Sequence, residues 1–455
     1  MSSLGFQQMY REINGSPGRS AERAFLPDNI DDYVSTRTPL FTFENGRPVS
    51  DFPVIGLSVA YEIELAGVVQ VLELAGLPPL AEDRTDRHPF ILGGGPLTFS
   101  NPLPLAPYVD AILLGEADET IHAALDILFA APNRKVALQQ LADRIPSAFV
   151  PTIHGEHLGE MAKCDLEKLP AYAQIRTPNT ELRNMFLLEA ERGCSRGCKY
   201  CVMRRSTNGG MRIVPMERIL SLIPDDAKRV GLVGAAVSDH PKIAEIVETL
   251  ADQGRSVGLS SLRPDRLNDR FVAALRRGGY RTLTTASDGS SQRLRDMMER
   301  KARERHLEKA ANLAREHGFK RMKLYMMVGL PDEQDEDIDE LIGYARGLSK
   351  IIPLSLGIAP FVSKRNTPLD GMPFAGIDLV EKRLKRLRKG VRGRVDLRST
   401  SARWAWVEWV LAQGGPAEGR AVLDAVRAGG HYRAWKDAFD AIPKNTPRRA
   451  LQVVI

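Results

Sequence analysis

The sequence is poor in cysteine. Four thiols in 455 residues cannot build a disulfide framework, which excludes a small secreted fold held by cross-links. Long apolar runs are missing too, and no stretch approaches the roughly 20 residues needed to span a bilayer. The opening MSSLGFQQMYREINGSPGRS has no apolar core behind a basic end, so no signal peptide is expected and the cytoplasm is the expected compartment. Internal repeats and low-complexity segments are absent. Neither a G-x-G-x-x-G fingerprint nor a G-K-[ST] phosphate loop occurs, and Gly93–Gly95 matches neither pattern.

What is present is a globular composition, 43% hydrophobic and 26% charged, long enough for two or three domains. The net charge of +6 is mildly basic, and much of the excess lies between Lys382 and Arg394, where eight residues are Lys or Arg. Such a run is either a solvated helix face or a site for nucleic acid or another anion. Trp404, Trp406 and Trp409 follow at a spacing that suits helix packing.

From Phe52 onward short apolar runs alternate with helical periodicity: FPVIGLSVAY, AGVVQVLELAGL, HPFILGGGP, then YVDAILLGEADETIHAALDILF. Strands alternating with helices predict a parallel α/β sheet with ligands at the carboxyl ends of its strands, where Gly93, Gly94, Gly95 and Gly115 fall. A doubly wound, Rossmann-like domain is expected over 1–132. It opens on a helix-like segment, so its first strand is either absent or supplied by Phe41–Phe43 or a later stretch. A Pro-rich linker or small subdomain is expected over 133–182. A longer alternation then predicts six strands: MFLLEAERG, KRVGLVGAA, RSVGLSSLRP, YRTLTTAS, FKRMKLYMMVGLP and IPLSLGIAPF. With their helices they would form a partial (β/α)6 barrel over 183–376. A helical region is expected over 377–455.

Three of the four cysteines, Cys194, Cys198 and Cys201, lie within eight residues in C-x3-C-x2-C spacing, between a predicted strand and a loop rich in Gly and Arg. A structural zinc site needs four ligands, and Cys164, His154 and His157 offer no paired spacing for a fourth. Three thiolates suit a four-iron cluster with one iron left open. These residues, with Tyr200 before the last cysteine and the barrel context, resemble the radical S-adenosylmethionine (SAM) superfamily. The resemblance covers about Glu189 to Phe361. It implies a [4Fe-4S] cluster whose open iron chelates the amino and carboxylate groups of SAM. One electron, from an external donor, would then cleave the sulfonium C–S bond to methionine and a 5′-deoxyadenosyl radical.

The same resemblance nominates a SAM-binding set, to which Tyr200 belongs. Gly234 and Ala235 stand in the family's G-G-E-like turn, but Ala236 replaces its acidic residue. Ser260 and Arg263 follow the third strand. Asp288 and Arg293 follow the fourth, with Asp where the family's A-P-E-x-G-S-x-R-L-R segment has Glu. The front domain resembles that of cobalamin-binding radical SAM proteins. There Gly93, Gly94, Gly95, Gly115 and Glu116 would approach the corrin, although DRHPFI lacks the glycine of the cobalt-ligating D-x-H-x-x-G motif. Three functions stand open: a radical SAM enzyme, with methyl or group transfer on an unknown substrate if cobalamin binds; a tRNA- or RNA-modifying relative; or a non-enzymatic iron–sulfur or zinc protein that binds nucleic acid or a partner.

Overall fold

The computed structural model describes residues 3–204, 210–260 and 262–443. The chain separates into two compact units. The front unit comprises Gly5–Lys168, Lys364–Asn366 and the chain from Val407; the barrel unit comprises Leu169–Ser363, Thr367–Trp406 and the first four residues. By contacts within the chain the two units meet at Leu169, between the boundaries expected at 132 and 182.

In the front unit, β1 (Val54–Ser58), β2 (Phe90–Gly94) and β3 (Ala111–Leu113) pair in parallel, and β4 (Ala148–Phe149) adds antiparallel to β3. Ile91, Ile112 and Phe149 are fully buried, as expected of short apolar runs with helices packed on the sheet. The strand order is sequential, and these four strands show none of the order reversal that opens a ligand crevice in doubly wound sheets. Phe41 makes only an isolated bridge to Pro48, so it does not complete the sheet. The helix Leu4–Asn14 precedes β1 and sends Met9 and Ile13 against the core around Leu113, Leu125 and Leu141.

The expected linker begins instead with the helix Arg134–Arg144, capped by Asn133, whose side chain accepts the Val136 N–H at 2.9 Å. Only Ala137 and Leu141 of this helix are buried, which explains its weak periodicity in sequence. The expected C-terminal region divides as well. The helices Pro416–Arg427 and Tyr432–Asp440 belong to the front unit. There the buried Tyr108 hydroxyl donates to the Gly419 carbonyl at 2.5 Å and accepts the Leu423 N–H at 3.1 Å.

The barrel unit contains β5 (Phe186–Glu189), the short pair β6 (Glu191–Arg192) and β7 (Arg212–Ile213), then β8 (Arg229–Val233), β9 (Ser256–Leu259), β10 (Thr282–Asp288), β11 (Arg321–Val328), β12 (Leu354–Pro360) and β13 (Val395–Ser399). Strands β5-β8-β9 and β10-β11-β12-β13 form two parallel runs joined by the Leu262–Thr285 bridge. All six expected strands are present. β13 is an addition in a region read as helical. Its VDLRS sequence alternates half-buried with exposed residues and has no apolar run to announce it. The helices Ile243–Asp252, Asp269–Arg277, Asp335–Ile351 and Ile377–Val391 connect consecutive strands.

Helical periodicity over Ser291–His317 predicts one helix there, and the structure has two. Gln292–Met297 and Glu304–Glu316 are separated by a turn in which Glu299 and Lys301 have φ of 56° and 59°. Neither Gly nor Pro marks that turn, so sequence alone reads through it.

Gly115 tests the front unit. It has φ of 84°, and a Cβ there would lie 2.4 Å from the Ala162 carbonyl oxygen. Gly115→Ala is expected to destabilise the protein by at least ~2 kcal/mol. Gly343→Ala, in a helix with nothing within 4 Å of the new methyl, should be neutral or stabilising by up to ~1 kcal/mol. Denaturant midpoints of the two variants check the contrast.

Candidate active site at the cysteine loop

The antiparallel pairing of β6 with β7 holds the two ends of the cysteine loop, with Glu191 opposite Ile213 and Arg192 opposite Arg212. Gly193, with φ of 84°, turns the chain out of β6. Cys198 is buried, and Cys194 and Cys201 are half-buried. The three thiols lie within electrostatic reach of one another. Burial pushes Cys201 up to about 11, with Cys198 and Cys194 adding to the effect. Burial also raises Cys194, which feels Cys198 and Glu191. The metal-free loop therefore keeps these two thiols protonated, and cluster binding would displace their protons.

The donor set fits a cluster better than a single ion. Cys164 belongs to the front unit, so the loop offers three thiolates and no fourth. Among the described residues no three His, Cys, Asp or Glu side chains group as they would around one metal ion, as a zinc site with bonds near ~2.3 Å requires.

Two half-buried aspartates brace the loop. Asp239, just past β8, takes Arg196 of the loop at 3.0 Å and also binds Arg263 at 3.2 Å and Arg266 at 3.1 Å. Burial alone would raise Asp239, yet the Arg196 hydrogen bond and the Arg263 charge hold it below the usual carboxylate range. On the other flank Tyr200 donates its hydroxyl to Asp288 at 2.7 Å, and Arg300 pairs with the same carboxylate. The helix break receives the middle of the loop: Lys199 N–H donates to the Met298 carbonyl at 3.0 Å, and the Cys198 sulfur lies 4.0 Å from the Glu299 carbonyl.

The nominated SAM residues divide. Gly234 and Ala235 end β8, and Ser260 ends β9 and donates to the Gly234 carbonyl at 3.2 Å, so these three share one strand-end face. Asp288, with φ of 64°, reaches the loop, but its carboxylate is taken by Tyr200 and Arg300. Arg263 is spent on Asp239 and on Asp265, at 2.7 Å, leaving no fork for a ligand carboxylate. Arg293 is likewise committed, to Asp337 and the Asp332 carbonyl. His240, buried, serves structure by bonding to the Val214 carbonyl.

Sequence reasoning passed over Glu191. It is fully buried, and one oxygen accepts the Ala236 N–H at 2.6 Å while the other has no hydrogen-bond partner. Burial, together with nearby Glu189 and Asp239, pushes it up to about 7. No spacing rule marks a lone Glu between a strand and a cysteine loop.

In the front unit the nominated corrin contacts serve packing. A Cβ at Gly95 would meet the Val59 backbone at 2.7 Å, one at Gly93 would touch Leu105 at 3.0 Å, and Gly115 is pressed on Ala162. Gly94 is less confined, with the Leu113 carbonyl 3.8 Å from such an atom. Glu116 accepts the Cys164 N–H at 3.0 Å.

Two family models match the chain: "Radical SAM proteins, N-terminal" over residues 5–151 and "Radical SAM superfamily" over 189–345. The second covers the cysteine loop and β6 to β11. The chain belongs to the radical SAM enzymes, a family that works with a [4Fe-4S] cluster and SAM, and it resembles the cobalamin-binding subgroup. Among relatives, an uncharacterised protein of Methanocaldococcus jannaschii is 27% identical over 81% of this chain and 80% of its own length. The tRNA-2-methylthio-N(6)-dimethylallyladenosine synthase of Bacillus licheniformis is 27% identical over 34% of this chain and 33% of its own. The fold is shared with the cobalamin-dependent SAM radical enzyme OxsB, solved with aqua-cobalamin and SAM bound (TM-score 0.52, 13% identity, 86% of this chain). This chain spans about half the length of that structure, 54%.

Removing Asp239 would leave three guanidinium groups, one of them buried, without their shared partner. Asp239→Ala is expected to cost about 3–5 kcal/mol and to lower iron retained after reconstitution, whereas Tyr200→Phe should cost about 1 kcal/mol. Glu248→Ala, which breaks an exposed pair with Arg270, should cost under ~1 kcal/mol and leave iron unchanged. Denaturation of the metal-free chains and iron analysis check the ranking.

Proposed function

We propose that this chain reductively cleaves SAM on a cluster held by Cys194, Cys198 and Cys201 and uses the product radical on a substrate bound at the same strand ends. The observation that carries the reading is the three-thiol loop, braced on both flanks and set among the ends of β8, β9 and β10. When bound, the cluster supplies one electron to the sulfonium C–S bond; an external donor must replace that electron. The chain's own part is to hold the loop in one shape, to keep two thiols shielded until iron displaces their protons, and to offer strand-end polar groups to the amino-acid end of SAM. A cytoplasmic setting accords with this chemistry, and no described helix is long and apolar enough to cross a membrane.

The finer reading, cobalamin-dependent methyl or group transfer, draws on the front unit's fold. No step is assigned to the corrin, because Gly93, Gly95, Gly115 and Glu116 are engaged within the unit. The RNA-modifying reading draws on the match to the tRNA synthase. Against it, the basic segment is partly neutralised: Lys382, Arg383 and Arg386 pair with Glu333, Asp335 and Asp339, and Arg388 bonds to Ser399.

Anaerobic reconstitution followed by dithionite and SAM is expected to give 5′-deoxyadenosine or, if a methyl group is transferred, S-adenosylhomocysteine. Substituting Cys198 by Ala should abolish both products. An intact cluster that yields neither would overturn the reading. Added hydroxocobalamin that changes the product ratio would favour the corrin route, and a salt-sensitive shift of tRNA on a gel would favour the RNA route.

A further inference from the structure

Among the described residues six acidic side chains surround the cysteine loop, and five of them are satisfied. Glu189 pairs with Arg192 at 2.7 Å, Asp239 with three arginines, Asp265 with Arg263, Asp288 with Tyr200 and Arg300, and Glu299 with Lys199 at 3.6 Å. Glu191 is the exception. Although fully buried, it has no cation beside it among the described residues, its charged neighbours there are acidic, and one oxygen lacks any hydrogen bond to them. An ionised carboxylate in that state costs several kcal/mol unless a proton or a cation joins it.

The turn that ends β8 is built around this side chain. A Cβ at Gly234 would fall 2.2 Å from Glu191 Oε1, so any residue but glycine there would collide with the carboxylate. Ala236, where the resemblance expects an acid, instead donates its N–H to Glu191. The turn has thus lost its own carboxylate and received one from the strand that leads to Cys194. We propose that Glu191 is the binding residue for the amino group of SAM, accepting its N–H and substituting for the acid missing at 236. The inference rests on the proposed SAM reaction. It explains the missing acid, the glycine and the unpaired oxygen together. SAM brings the required hydrogen-bond donor, and it brings it beside the loop that would hold the cluster.

The test uses the reconstituted full chain and measures equilibrium binding of SAM and of an analogue in which hydrogen replaces the α-amino group. Changes in the cluster's electron paramagnetic resonance signal report the same event. Wild type is expected to prefer SAM, and roughly 10- to 100-fold of that preference, the range of a charge-assisted hydrogen bond, rests on Glu191. Glu191→Gln keeps the shape and can still accept the Ala236 N–H, so it should retain wild-type iron. It should lose that share of the preference while binding the analogue as wild type does. Adding Ala236→Glu to that variant should restore the preference. If Glu191→Gln loads iron poorly, Glu191→Asp, which keeps the charge, should retain a preference for SAM. Equal weakening of both ligands, or no weakening of either, would overturn the role of Glu191 and leave SAM binding standing. Failure of wild type with an intact cluster to bind SAM would overturn the proposed reaction and this inference together.

Discussion

The site depends on a loop that must hold three thiols toward one place with almost no secondary structure of its own. Among its described residues strand pairing is confined to the base, where β6 meets β7, and one backbone hydrogen bond ties Lys199 to Met298. The rest is held from outside: Asp239 grips Arg196 and Asp288 grips Tyr200, one on each flank. Both carboxylates come from the ends of parallel strands, so the sheet fixes the loop through them. A buried ion pair is a doubtful source of net stability, because desolvation offsets much of the attraction. Its clearer contribution here is to select one loop shape among many.

The same bracing explains why some nominated ligands are unavailable. An arginine at a strand end looks in sequence like a receptor for a ligand carboxylate. Arg263 has that position, but two aspartates occupy its guanidinium, and one of them, Asp265, lies only two residues on. Asp288 reaches the loop as expected and serves it by positioning Tyr200. Polar groups near an active site are often committed to holding it together, leaving few to meet the ligand.

Much of this was legible in the residues. The six barrel strands announced themselves as apolar runs, and the C-x3-C-x2-C spacing pointed to the cluster because the chemistry needs three donors on one short loop. Less was legible wherever structure comes from distant pairing. β13 carries no apolar run and is a strand only because β12 offers a free edge. The break at Glu299–Lys301 occurs without Gly or Pro, yet it receives Lys199 and Cys198. Glu191 was invisible for a related reason: its meaning lies in what it lacks, and an absent partner leaves no trace in a linear pattern. In the front unit, Gly95 and Gly115 lie where backbone presses on backbone, a demand that the glycines of a ligand cradle share in sequence.

The central claim is that three thiolates leave one iron of the cluster open to an exchangeable ligand. Mössbauer spectroscopy of chain reconstituted with iron-57, with and without SAM, tests it most directly. The account predicts about four irons per chain, one of which separates spectroscopically from the other three when SAM is added. Four irons indifferent to SAM, or a loop that takes up a single zinc ion and no iron, would contradict it.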